Sequence, residues 1–163
     1  MGAGGRETSE VRLEGVGENN IMQLKKLNAV LFPVSYDNKY YSDTLVSAHF
    51  SKLAYYNDNC VGAIACKLEN KEGGGARVYI MTLGVLAPYR GLGIGTKLLT
   101  HVLDLCAKQK IGEIYLHVHT NNEDAINFYK KFGFDITETI PNYYTKITPH
   151  DCYVVTKYIS HTT

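Results

Sequence analysis

Two stretches of the chain carry residue types that chemistry can use. The first is Tyr89-Arg90-Gly91-Leu92-Gly93-Ile94-Gly95, followed by Thr96 and a run with helical spacing. Unpaired backbone N–H groups and the macrodipole at a helix N-terminus favour an anion. Glycines let that anion approach closely and Arg90 adds a cation, so the loop suits a diphosphate. Its register excludes two common phosphate loops. A P-loop ends Gly-Lys-Ser/Thr, whereas Gly95 here precedes Thr96-Lys97. A dinucleotide turn needs G-x-G-x-x-G and an acid about 20 residues on, and this chain has neither in the required place. The second stretch is His117-x-His119. On a strand both rings share one face, an arrangement open to acid–base work near neutral pH or to a metal pair. No third ligand of suitable type lies nearby in sequence, and no metal is expected.

Residues 11–16 alternate apolar and polar, as a half-buried strand does. Asn20 is placed to cap a helix carrying Ile21, Leu24, Leu27 and Leu31, which must stop at Phe32-Pro33. A weaker helical stretch follows over 39–49. Strands over 52–56 and 61–68 flank a turn at Asn57-Asp58-Asn59. Gly73-Gly74-Gly75 marks another turn before a strand over 77–85, which Pro88 ends. Ile94, Leu98, Val102, Leu105 and Cys106 recur on one helical face. A strand over 114–119 is followed by a short helix from Asn122, with Ala125, Ile126 and Tyr129 inward and Gly133 closing it. Strands over 134–139 and 152–158 are joined by the Pro- and Tyr-rich segment 141–149. This order predicts an α/β sheet with mixed strand directions.

The totals bound the function. The chain has 163 residues, 45% hydrophobic and 20% charged, with 17 basic and 16 acidic side chains. It reads as one domain over 10–160 behind a flexible polar leader, 1–9. A formal charge of +1 gives no global field for nucleic acid or an anionic membrane. No apolar run approaches the roughly 20 residues that span a bilayer, so no membrane insertion is expected. Cys60, Cys66, Cys106 and Cys152 form no C-x-x-C pair, which suits free thiols in the cytoplasm or nucleus.

Arg90-x-x-Gly93-x-Gly95, after a strand ending Leu83-Gly84-Val85, resembles the acyl-CoA motif of the GNAT acetyltransferases. The segment from Asn122 to Phe134, N-x-x-A-x-x-F-Y-x-x-x-G-F, is similar to the family's second half. The likeness spans about residues 10–158. Phe32-Pro33-Val34-Ser35-Tyr36, the strand from Tyr79 to Gly84, Tyr115-Leu116-His117-Val118 and Asn142-Tyr143-Tyr144 are similar to N-terminal acetyltransferases of the NatE type. The resemblance implies a mixed, mostly antiparallel seven-stranded sheet, splayed at its centre, with helices on both faces. It implies acetyl-CoA as cofactor, with CoA as product. The cofactor would lie against Leu83, Gly84 and Val85, the loop from Arg90 through Gly91, Leu92, Gly93, Ile94 and Gly95 to Thr96, and Asn122, Ala125 and Tyr129.

The reaction so implied is attack of an α-amine on the acetyl thioester. An α-amine has a pKa of about 7.7–8.0, against about 10.4 for lysine, so a moderate base is enough. His117 is expected to be that base, drawing the proton through a water held by Tyr79. Tyr129 is expected to protonate the leaving thiolate. A backbone N–H around residues 83–85, freed by a bulge, is expected to meet the oxyanion. No Cys or Ser sits in either motif for an acyl-enzyme, so transfer is direct. Phe32, Pro33, Val34, Tyr36 and Met81 are expected to line an apolar slot that Tyr143, Tyr144 and Ile147 close, with Tyr79 and His117 at its chemical end. The resemblance implies polypeptides starting with Met and a bulky apolar residue as substrate, lysine acetylation as a side activity, and a NatA-type complex as partner through its large auxiliary subunit. Two rivals stand beside this: an acetyltransferase for small, polyamine-like amines, and a CoA-bound non-catalytic subunit.

Overall fold

The computed structural model describes residues 10–144 and 148–159; the leader 1–9 and Ile147 lie outside the described residues. Among the described residues seven strands and four helices follow one another: β1 (Val11–Gly15), α1 (Ile21–Leu31), α2 (Asn38–Val46), β2 (Lys52–Tyr56), β3 (Asn59–Asn70), β4 (Ala76–Val85), α3 (Ile94–Lys108), β5 (Glu113–His119), α4 (Glu123–Lys131), β6 (Asp135–Ile140) and β7 (Cys152–Tyr158). A 3-10 turn, Ala87–Tyr89, follows β4. The strands form one open sheet in the order β1-β2-β3-β4-β5-β7-β6. The β1/β2, β2/β3, β5/β7 and β6/β7 pairs are antiparallel. The β4/β5 pair is parallel, in register at Val78–Ile114 and Tyr79–Tyr115. The described residues fall into two compact packing units, one holding those up to Lys67 with Met81–Leu105, the other Leu68–Ile80 with those from Cys106 onward.

In the first unit, α1 buries Leu24 and Leu27 in a core with Val16, Tyr40, Leu53, Ala63 and Ala65. Phe32 ends α1 in extended backbone (φ −125°, ψ 143°), as a residue before proline must. Asn20 does not cap that helix with its side chain. Its Oδ1 accepts from the Gly17 N–H at 2.8 Å, and its Nδ2 donates to the Gly15 carbonyl and to Glu14. A local turn thus outcompetes the cap, as short amide side chains often do. Asp37 is the true cap of α2, accepting from the Tyr40 N–H at 3.0 Å, and α2 stops at Val46, short of the predicted 49. Asn57 and Asp58 take positive φ (49° and 69°) in the tight turn between β2 and β3.

Gly84 earns its place by close approach. A Cβ there would lie 2.8 Å from Leu31 Cδ1 and 3.1 Å from Phe32 Cζ. Only a glycine lets the end of α1 lie this near β4.

In the second unit β5 alternates cleanly. Ile114, Leu116 and Val118 are buried, whereas Glu113, Tyr115, His117 and His119 on the other face are half-buried. Val78 and Ile80 of β4 are buried likewise, and Arg77 and Tyr79 take the half-buried face. A period of two on both strands therefore sets a polar, aromatic face over an aliphatic one. Phe134, predicted to start β6, instead gives its amide to the Tyr129 carbonyl at 3.2 Å, and the strand begins one residue later.

Candidate active site

The polar face of the second unit gathers the residues of chemical interest. Tyr79 and Tyr115 are directly paired across the parallel ladder, and their rings stack with centroids 4.9 Å apart at 16°. The Tyr79 hydroxyl lies 2.9 Å from His117 Nδ1, a direct hydrogen bond. The structure thus brings these two predicted groups into direct contact. His117 also stacks on Tyr143, 4.7 Å away at 21°. Tyr144 packs on His119 at 4.0 Å and edge-on to Tyr143 at 5.0 Å. Two hydrogen bonds hold this tyrosine segment: the Tyr144 N–H donates to the His150 carbonyl at 2.8 Å, and the Asn142 N–H to the Asp151 carboxylate at 3.0 Å.

Electrostatics sort the pair into donor and base. Burial raises the pKa of Tyr79 above that of an ordinary phenol, and Tyr143, Tyr115 and Tyr144 raise it further. Tyr79 therefore keeps its proton throughout the working pH range. Burial lowers the pKa of His117 below the ordinary 6.5, with Glu138 and Glu69 opposing that shift. The imidazole is therefore neutral, and basic, at neutral pH. If it accepts the reaction proton, kcat must rise with pH through the His117 pKa and fall on its acid side. A pH–rate profile should place that acid limb below 6.5 in wild type, and His117→Ala should lack it.

The first unit carries the glycine loop and the aromatic segment after α1. Gly91 and Gly93 take φ of 84° and 81°, left-handed backbone that glycine adopts without strain. Ile94 is buried and anchors α3, while Arg90, Gly91, Leu92, Gly93 and Thr96 are exposed and Gly95 half-buried. Arg90 Nε donates to the Val85 carbonyl at 2.8 Å, tying the loop to the end of β4. The first N–H groups of α3 lack intrahelical partners and sit beside this loop, the geometry of an anion seat. Leu83 and Gly84 are half-buried on β4. Phe32 meets Tyr36 edge-on at 6.0 Å, and Tyr36 stacks on Tyr40 at 4.5 Å and 27°. Pro33 and Val34 are exposed, and Met81 packs against the core.

Sequence reasoning missed the support behind Tyr36. The buried Tyr40 hydroxyl shares a 2.6 Å bond with Thr82 Oγ1 and accepts from Asn28 Nδ2 at 3.2 Å. The available signal was Asn28, a polar residue one step from Leu27 on the inward face of α1. In the second unit, Asn122 caps α4 by accepting from the Ala125 N–H at 3.2 Å, so both residues are engaged with each other. Tyr129 is buried, with Phe128 and Phe134 as ring neighbours. Among the described residues no cluster of three or more His, Cys, Asp or Glu side chains is placed to hold a metal. The four cysteines are free thiols, and no described helix is long and apolar enough to cross a membrane.

Residues 21–134 match the Acetyltransferase (GNAT) family. The chain is 53% identical over 148 residues to N-alpha-acetyltransferase 50 of Danio rerio, covering 90% of this chain and 88% of that protein. It is 50% identical over 155 residues to the probable N-acetyltransferase san of Drosophila melanogaster, covering 94% and 84%. Arabidopsis thaliana Naa50, solved in complex with the bisubstrate analogue CoA-Ac-MVNAL, is 69% identical with a TM-score of 0.88, covering 92% of this chain and 99% of that one. The chain belongs to the GNAT acetyltransferase family. Within it, the chain is an N-α-acetyltransferase that takes its acetyl group from acetyl-CoA.

Proposed function

We propose that this enzyme acetylates the free α-amine of polypeptides beginning with Met and a bulky apolar residue, with Tyr79 and His117 acting as one proton-accepting unit. The observation that carries the reading is the 2.9 Å contact between the Tyr79 hydroxyl and His117 Nδ1. The amine nitrogen attacks the thioester carbonyl carbon, and the C–S bond breaks to release CoA. The amine proton passes through a water to the Tyr79 oxygen as the Tyr79 proton passes to Nδ1. The net charge then resides on His117, and no phenolate forms. This relay explains why a phenol with a raised pKa is no obstacle. Acid–base help of this kind contributes about 10²–10⁴-fold.

In the first unit we assign the Arg90–Thr96 loop and the first amides of α3 to the CoA pyrophosphate, and a backbone N–H near 83–85 to the oxyanion. Phe32, Pro33, Val34, Tyr36 and Met81 would contact the first side chains of the peptide. In the second unit Tyr143 and Tyr144 would contact the peptide, and Tyr129 would donate to the leaving thiolate. A thiol pKa near about 8.5 makes that last role the least demanding. The relative solved with a Met-Val peptide analogue supports the choice of acceptor. The aromatic setting of Phe32 and Tyr36 suits an apolar first residue better than a polyamine. As partner we propose the large auxiliary subunit of a NatA-type complex, testable by co-purification of the two chains.

The test is an acetylation assay over peptides varied at positions one and two, beside N-blocked peptides that contain lysine. Met-Leu and Met-Val peptides should be preferred; turnover of the blocked peptides alone would refute N-terminal specificity. Phe32→Ala should raise KM for Met-Leu peptides about tenfold, the scale of one lost apolar contact, with acetyl-CoA affinity unchanged.

A further inference from the structure

We propose that Tyr115 is a positioning residue for acetyl transfer, holding the Tyr79 ring so that its hydroxyl meets His117, while Glu69 and Arg77 hold Tyr115; this rests on the reading of Tyr79 and His117 as the proton-accepting unit. A tyrosine hydroxyl sits at the far tip of its ring, so a small swing about χ1 carries it out of hydrogen-bond range. Something must fix the ring plane. Tyr79 and Tyr115 are a matched pair in the β4/β5 register, and their near-parallel stack restrains that swing. Tyr115 also meets His117 edge-on, 6.0 Å away at 84°, so one ring touches both members of the unit.

Tyr115 is itself fixed at two points. Its hydroxyl donates to Glu69 Oε1 at 2.6 Å, a charge-assisted bond. The Arg77 guanidinium carbon lies 4.6 Å from the Tyr115 ring centroid, and Arg77 Nε donates to the same Glu69 oxygen at 2.9 Å. Glu113 steadies the group, 3.0 Å from Lys71 and 3.9 Å from Arg77. The chain from Glu69 through Tyr115 and Tyr79 to His117 is continuous and entirely within the second unit.

The experiment compares Tyr115→Leu, Tyr115→Phe and His117→Ala in the full chain, reading kcat, both KM values and the thermal midpoint. Tyr115→Leu should lower kcat about 10- to 100-fold, the cost of a misplaced catalytic group, with both KM values within about twofold. Tyr115→Phe keeps the ring stack and the Arg77 contact but loses the Glu69 bond, so its kcat should fall between those of wild type and Tyr115→Leu. Adding Tyr115→Leu to His117→Ala should cost nothing further, because the group being positioned is gone. Wild-type kcat in Tyr115→Leu beside an impaired His117→Ala would overturn the role of Tyr115 alone. So would an equal loss in Tyr115→Phe and Tyr115→Leu with both folded, or a full extra loss in the double variant. Wild-type kcat in His117→Ala would instead refute the proton-accepting unit.

Discussion

Replacing His117 with alanine is expected to lower kcat by about 10²–10⁴-fold while acetyl-CoA affinity stays within about twofold. The imidazole does two things that the methyl group cannot. It offers Nδ1 to the Tyr79 hydroxyl at 2.9 Å, and it fills the space under Tyr143 with a ring stacked at 4.7 Å. Loss of the first removes the proton acceptor and leaves Tyr79 with no imidazole to relay to. Loss of the second loosens Tyr143 and should raise the peptide KM a few-fold, by about 0.5–1.5 kcal/mol of ring contact. The two effects separate in steady-state kinetics, because only the first acts on kcat. His117→Phe keeps the stack without the nitrogen, so it should hold the peptide KM near wild type and still lack turnover. A large loss of acetyl-CoA affinity in His117→Ala, measured by calorimetry, would place the histidine in cofactor binding instead.

The second large effect is expected at Gly84. Valine is a good strand residue, and on propensity alone Gly84→Val should stabilise β4. Packing predicts the opposite. The added Cβ meets Leu31 Cδ1 at 2.8 Å and Phe32 Cζ at 3.1 Å, and the branched methyls reach farther still. Overpacking of this kind costs about 1–3 kcal/mol. The displaced atoms belong to the end of α1 and to Phe32, so the peptide KM should rise together with the loss of stability. Gly84→Ala should fall between wild type and Gly84→Val, since side-chain tips can yield a few tenths of an ångström. Chemical denaturation and peptide KM over the three variants check this. A Gly84→Val protein with wild-type stability would mean that Phe32 does not rest on β4.

Much of this was legible in the chain because it is local. The period of two in 114–119 puts Tyr115, His117 and His119 on one face, and β5 does so, beginning one residue earlier at Glu113. The glycine loop carries its left-handed geometry in its own residue types. Phe32-Pro33 ended α1 for the same steric reason in sequence and in structure. The misses are competitions that no periodicity reveals. Asn20 had a helix start and a nearer turn to choose from, and the turn won. Asp37, three residues before the Tyr40 amide, was an unnoticed cap. Phe134 lost its place in β6 because the end of α4 claimed its amide. The contact between Tyr79 and His117 joins residues 38 apart. It depends on the parallel register of β4 on β5, which one sequence does not encode in any single segment. The same register makes Tyr115 a neighbour of Tyr79.

The most direct test of the central claim is a double-mutant cycle on single-turnover acetyl transfer to a Met-Leu peptide at saturating acetyl-CoA, with Tyr79→Phe, His117→Ala and both together. Two groups that pass one proton act as a unit, so their losses do not add. Each single variant should therefore be slowed about as much as the double variant. Losses that multiply in the double variant, or a wild-type rate in either single one, would contradict the account.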